Sequence, residues 1–251
     1  MAKPLILVTN DDGIQAPGLA SLVEALESVG DVWVYAPDRQ QSGVGHSVSL
    51  HRPLRVQEVK KQWYMVDGTP TDCVMLPVRD LLHAKPDLVV SGINGGANLG
   101  DDVTYSGTVA GAYEGMLLGL PAFAVSDVSY DPKHMDTAAR FAARLAEQVV
   151  AEGLPAETML NVNVPDVPYD DLRGVAITKM GRRDYQDEIV HRHDPRGKVY
   201  YWIGGSEPSH IAEPGTDFEA IENGMVSITP LHRDLTNYSA LERLKTRGFG
   251  L

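Results

Sequence analysis

Two carboxylates stand side by side, Asp11 and Asp12, where the apolar run of LILVTNDDGIQAPG (residues 5–18) stops. Like charges in contact repel, and burial strengthens the repulsion. A positive species between them would relieve it. Three other stretches carry matching chemistry: the loop around Ser42-Gly43, the segment Ser91-Gly92-Ile93-Asn94 with Asn98, and Ser106-Gly107-Thr108. Their donors are carboxylate, hydroxyl and amide oxygens. Such hard ligands select Mg²⁺, Mn²⁺ or Ca²⁺ over softer metals. No histidine pair at metal spacing accompanies them, and Cys73 is the one cysteine, so zinc is not supported. The simplest positive species is therefore a divalent cation. Ser106-Gly107-Thr108 opens a helical pattern, and free N–H groups at a helix start bind phosphate.

Each stretch also has a plainer reading. Asp-Asp-Gly suits a turn or a helix N-cap. Glycines 92, 95, 96 and 100 can simply shape a loop. Ser106 or Thr108 can be an ordinary cap. The chain has no G-x-G-x-x-G and no Walker lysine, which argues against a dinucleotide fold and a P-loop. Asp67-Gly68-Thr69 resembles the nucleophile loop of haloacid-dehalogenase phosphatases, but Met65 stands where a second carboxylate is needed. Ser42 with His46 lacks a G-x-S-x-G elbow, and His46 reads as a packing or hydrogen-bonding residue.

The elements that must position these groups alternate. Leu5 to Val8 reads as a buried strand, 18–29 as a helix, and Asp31 to Ala36 as a second strand, a β-α-β rhythm that predicts a parallel sheet. Short strands are expected in SVSLH, LRVQEV and WYMV between 47 and 66, then a helix from near Thr71. DLVVS (87–91), PAFAVS (121–126) and MLNVNVP (159–165) read as further strands, the last of the core set. TVAGAYEGMLLG is a helix of small residues, and 134–151 a long amphipathic one. Residues 181–214 are charged and aromatic without core periodicity, which predicts an extended arm or hairpin; MVSITPL and YSALERLKTRG close the chain.

With 251 residues, 43% of them hydrophobic, one large α/β domain can form. Acidic residues outnumber basic ones 34 to 22, for a net charge of −12. That surface repels nucleic-acid polymers and anionic membranes. The apolar start is too short for a signal peptide or a span, and a lone cysteine precludes an internal disulfide. A soluble, cytoplasmic protein is expected.

Taken together, VTNDDGIQAPG, APDRQQSGVGHSVS, GTPTDCV, SGINGGANLGDDVTYSGTVAGAYEG, LNVNVP, SITPL and LTNY resemble the SurE, or stationary-phase survival, nucleotidases. The resemblance implies a Rossmann-like α/β fold: a mostly parallel sheet flanked by helices, with a C-terminal extension used in oligomers. It divides the chain into a catalytic domain, 1–180, and a C-terminal arm with closing strand and helix, 181–251. It implies metal-dependent dephosphorylation of nucleoside monophosphates, with 3′-nucleotidase and exopolyphosphatase activity as possible extensions, and a homodimer or homotetramer. Carried over by position, the ligands of one Mg²⁺ or Mn²⁺ are Asp11, Asp12, Ser42 and Asn94. Asn98, Ser106, Gly107 and Thr108 fall on the phosphate side. Asp11 or Asp12 would orient the attacking water. The competing readings are a nucleotide sensor without turnover and a sugar-nucleotide transferase.

Overall fold

The computed structural model describes residues 3–184, 187–205 and 209–247. Its first strand, β1 (Leu5–Thr9), is buried throughout. Ile6 and Val8 pack with Leu19, Leu22 and Leu26 of helix α1 (Pro17–Leu26), while Leu7 joins the opposite cluster. A strand covered on both faces has no use for polar alternation, which is why the run is unbroken.

The chain continues through β2 (Asp31–Pro37), the pair β3 (Val56–Lys60) and β4 (Trp63–Val66), helix α2 (Pro70–Leu76) and β5 (Leu88–Gly95). Then come α3 (Gly107–Leu117), β6 (Ala122–Asp127), α4 (Met135–Glu152), β7 (Thr158–Val164) and β8 (Val175–Ile177). The arm holds β9 (Arg183–Asp184), β10 (Asp187–His193), β11 (Val199–Gly205) and β12 (Ser209–His210). Helix α5 (Asp217–Glu222), β13 (Val226–His232) and α6 (Tyr238–Lys245) follow.

Nine strands form one sheet in the order β3-β4-β2-β1-β5-β6-β7-β13-β8. It is mostly parallel, with antiparallel pairs at β3–β4 and β7–β13. One apolar layer, with α1 and α4, covers one face; Tyr35, Cys73, Val109 and Met116 belong to the layer on the other. From β1 the chain moves outward to β2 and β4, then returns to the far side of β1 as β5. Strand order reverses there, so a crevice opens beyond the carboxyl ends of β1 and β5, the place where such sheets bind ligands.

Two expectations need correction. SVSLH forms no strand. Its polar backbone groups serve the start of α2 instead: Ser49 N–H donates to Asp72 Oδ1 (3.0 Å), and the Ser47 carbonyl accepts from Thr69 Oγ1 (2.6 Å). The core strands also do not end at 165. The segment read as a closing piece is β13, which runs antiparallel beside β7 and parallel beside β8. It buries Val226 and Ile228 in the α1–α4 layer.

Helix α3 lies unusually near the sheet. A Cβ on Gly107 would meet Asp11 Cβ at 2.7 Å, one on Gly111 would meet Thr9 Cγ2 at 2.8 Å, and one on Gly115 would meet Val89 Cβ at 2.9 Å. The spacing of four keeps all three on one face. Gly111→Val should therefore overpack this seam and destabilise the fold by about 1–3 kcal/mol, measured as a shift in urea midpoint without a change in slope. An unshifted midpoint would mean that the helix can move away freely.

Candidate functional site

The acidic pair sits on a braced turn. Asn10, fully buried, donates from Nδ2 to the Gly13 carbonyl (3.0 Å) and accepts from Gly13 N–H at Oδ1 (3.2 Å). Gly13 has φ +99°, a conformation that glycine adopts without a side-chain penalty. The turn delivers Asp11 and Asp12 to the crevice.

Their environments differ. Asp11 is buried, and Thr108 Oγ1 donates to its Oδ1. The N–H groups of Gly107 and Thr108, at the start of α3, also point to this carboxylate. Burial lifts its pKa above the ordinary range, and these donors pull it partly back. Asp12 is half-buried, and its pKa is pushed up to about 6, first by burial and then by the charge of Asp11. The N–H of Gly95 opposes that rise. Among the described residues, no ion pair involves either aspartate. Two neighbouring carboxylates thus face the crevice end of the sheet with no basic side chain to compensate them.

The other expected ligands converge from two directions. Gly95, whose N–H eases the charge on Asp12, lies at the end of β5 directly after Asn94. A register shift between Ser91 and Asn94 breaks the regular β5–β6 ladder there, the usual means of re-aiming a side chain. Asn94 Nδ2 donates to the Gly96 carbonyl (2.7 Å), which leaves its amide oxygen as the free acceptor end. Gln41 N–H donates to the Asp11 carbonyl (2.7 Å), which fastens the loop of exposed Ser42 against the same turn.

The four residues expected on the phosphate side divide. Ser106 caps α3, accepting from Val109 N–H at 3.1 Å. A hydroxyl that accepts still has its own proton to donate. Thr108 is fully buried and its hydroxyl serves Asp11, so it positions a carboxylate rather than presenting a free hydroxyl to the crevice. Gly107 provides the close approach and an N–H. Asn98 is buried and braced on several sides. Its N–H donates to Asn163 Oδ1 (2.8 Å), its carbonyl accepts from Asn161 and Asn163, and its Nδ2 donates to Ser126 Oγ (2.7 Å).

Sequence reading missed this asparagine cradle. The signal was present: N-x-N within MLNVNVP puts two amides on one face of a buried strand, where an unpaired polar group is costly. It also missed Asp127, at the end of β6. Asp127 Oδ1 accepts from Ser129 N–H (2.9 Å), while Oδ2 is buried with no partner among the described residues. Burial pushes its pKa up to about 6, with Ser129 N–H opposing and Asp166 adding to the rise. The two decoys resolve plainly. Asp67 Oδ1 accepts from Arg55 N–H (2.7 Å), and His46 pairs with Glu114 (2.9 Å).

A family profile described as "Survival protein SurE" matches residues 6–187. The "5'-nucleotidase SurE" of Geobacter sulfurreducens is 55% identical over 242 residues, covering 96% of this chain and 92% of that protein. Its counterpart in Geobacter metallireducens is 54% identical over 245 residues, 97% of each chain. The crystal structure of the SurE protein from Aquifex aeolicus superposes with a TM-score of 0.86 at 45% identity, over 97% of this chain and 99% of that one.

Thr108→Val keeps the volume but removes the hydroxyl from Asp11. It should cost about 1.5–3 kcal/mol of folding stability, the scale of a hydrogen bond to a charged group, in chemical denaturation near neutral pH. No loss would show that the backbone N–H groups alone hold Asp11. Asp127→Asn tests the orphan oxygen. The folded-state pKa of about 6 lies above the ordinary 3.8, so the folded chain binds more protons between those values and stability falls as pH rises through them. The variant should melt higher than the parent at about pH 8 and lose that advantage at about pH 4. Equal melting at both would mean that the ionised carboxylate is well solvated.

Proposed function

The chain belongs to the SurE family, and on that premise we propose that it is a metal-dependent phosphatase that hydrolyses nucleoside monophosphates to nucleoside and phosphate. The observation that carries this reading is the pair Asp11–Asp12 at the strand-order reversal, one buried and one half-buried, mutually repelling and without a cationic side chain. The curated relatives named as 5'-nucleotidases support the reaction class.

The donor set fits a hard divalent ion: two carboxylates, the Asn94 amide oxygen and the Ser42 hydroxyl. Among the described residues no His/Cys/Asp/Glu cluster of three occurs, as expected if two of the four ligands are Ser and Asn. When bound there, Mg²⁺ or Mn²⁺ supplies Lewis-acid neutralisation of a phosphoryl oxygen and lowers the pKa of a water.

The chain's own groups do the positioning. Thr108 and two N–H groups immobilise Asp11. Asp12 accepts fewer bonds and is more open, so it is the better placed of the two to orient the attacking water. Ser106 donates its hydroxyl proton to a phosphoryl oxygen while it still caps the helix. Asn98 offers the second hydrogen of its amide, the first being committed to Ser126. Charge developing on the phosphoryl group strengthens these bonds without reorganisation, because caps and cradle already hold the donors.

The assembly is part of the proposal. Residues 1–180 form the catalytic body; 181–251 supply the arm, with β13 returning into the body's sheet. Strands β10 and β11 pair only with each other among the described residues, and Tyr201, Trp202 and Ile203 on them are 65–80% exposed. A lone two-stranded ribbon is marginal in water, and exposed aromatics mark interfaces. The arm joins copies into a homodimer or homotetramer. Tyr185, a further aromatic expected in this interface, lies outside the described residues. Cytoplasmic action is proposed on the sequence reading; no helix among the described residues is long and apolar enough to cross a membrane.

Phosphate release should be measured on 5′- and 3′-monophosphates and on polyphosphate, after chelation and with Mg²⁺, Mn²⁺ or Zn²⁺ restored singly. Activity on the 5′-monophosphates should vanish with the chelator and return with Mg²⁺ or Mn²⁺. Binding without turnover under every metal would make the protein a nucleotide sensor instead. Asp12→Asn should lose most turnover, yet melt no lower than the parent when metal-free, since it relieves the repulsion with Asp11. Normal hydrolysis by this variant would reduce Asp12 to a turn former. Asp187 lies opposite Gly205, so the ribbon between them can be replaced by a short turn. Light scattering should then report a smaller assembly; an unchanged mass would remove the arm from the interface.

A further inference from the structure

A cleft of about 740 Å³ runs from the start of α3 along that helix and is walled on the far side by β13. Beyond Ser106 at one end, nothing in the phosphate chemistry uses it. Ser106, Ala110 and Tyr113 line it, spaced four and three apart, so they form one stripe along the helix. At 1.5 Å per residue, Ser106 and Tyr113 are separated by about 10 Å along the axis. Ser106 stands at the phosphate end. The cleft therefore extends from the phosphate site over a length that the sugar and base of a nucleotide occupy.

Its far end is preorganised and aromatic. Tyr113 is pinned by its hydroxyl, which donates to the Arg233 carbonyl (3.1 Å). His46 packs edge-on against the Tyr113 ring at 5.1 Å and 71°. His46 is itself held at 2.9 Å by Glu114, a carboxylate only 5% exposed in its side chain. A buried carboxylate spent on fixing a half-exposed ring makes sense if that ring must keep its orientation. The lining is otherwise largely apolar, including Leu231; its basic side chains are already paired, Lys179 with Glu213 and His232 with Glu157, on a chain whose net charge is −12. A flat, uncharged heterocycle suits such a wall better than any further anionic group.

Resting on the phosphatase reading, we propose that this cleft holds the ribose and base of the substrate, with Tyr113 and His46 forming the corner on which the base stacks. The site thus selects nucleotides over simpler phosphate esters by contacts remote from the phosphoryl group.

Two measurements test it, one independent of catalysis. Binding of adenosine, which carries no phosphate, is followed by calorimetry or ligand-observed NMR. Hydrolysis of adenosine 5′-monophosphate is compared with that of ribose 5-phosphate. Tyr113→Ala should weaken adenosine binding about ten-fold, a typical share of aromatic stacking. It should lower the ratio of kcat/KM for the nucleotide over ribose 5-phosphate by a similar factor, through KM. Tyr113→Phe keeps the ring and should restore both. Leu231→Trp narrows the cleft from β13 and should reproduce the loss if the alanine variant folds poorly. A ratio unmoved by these variants, with normal hydrolysis, would overturn the cleft assignment and leave the phosphatase standing. No hydrolysis of any monoester, with adenosine bound by the wild type and released by Tyr113→Ala, would overturn the phosphatase reading and leave the cleft. Absence of adenosine binding, with the cleft closed by a second copy in the light-scattering assembly, would also overturn the assignment.

Discussion

The structure depends on the contact between α3 and the two central strands. Three glycines at intervals of four allow the helix to touch β1 and β5 with nothing between backbone and neighbour but hydrogens. The approach carries the helix start onto Asp11. Two N–H groups and the Thr108 hydroxyl then reach a carboxylate that the fold has withdrawn from water. An unpaired buried carboxylate would simply take up a proton. The glycine seam and the acidic site are thus one arrangement: a wider helix–sheet gap would leave Asp11 without its donors.

Asp12 shows the same economy in the other direction. The N–H that eases its charge belongs to Gly95, on β5, so the pair lies beside the two strands at which the order reverses. Asn94 directly precedes Gly95 in β5, and the loop of Ser42 is fastened by the bond from Gln41 N–H to the Asp11 carbonyl. Asp11 is held at Oδ1 by the Thr108 hydroxyl, and Asn94 through the bond from its Nδ2 to the Gly96 carbonyl. The second bond leaves the Asn94 amide oxygen as an available acceptor. An anionic group entering this crevice would meet local N–H and hydroxyl donors, which must outweigh a global field of the wrong sign.

The arm is rooted in the same region. Arg183, at its base, donates from Nε to Asp102 (2.9 Å) and from its N–H to Asp101 (2.9 Å). Asp217, fully buried, accepts from Gly100 N–H and Gly181 N–H at 2.8 Å each. These clips join the glycine-rich loop beside the site to the turn where the arm departs. The base of the arm is therefore mechanically continuous with the loop between Asn98 and Ser106.

Much of this was legible beforehand. The unbroken apolar run of β1, the β-α-β rhythm and the Asp-Asp-Gly stop determined a parallel sheet with an acidic edge, because period and polarity are local properties. The oxygen-only donor set likewise follows from residue types alone. What only the tertiary structure decided is which donors face which acceptors. Thr108 reads in sequence as a phosphate contact or a cap, yet it serves Asp11, ninety-seven positions away. Ser47 to His51 reads as a strand, yet its backbone groups serve a cap. β13 reads as an appendix, yet it completes the sheet beside β7. In each case a long-range hydrogen bond outcompetes a local preference, since a buried polar group must find a partner wherever the chain brings one, and periodicity in sequence carries no record of that partner.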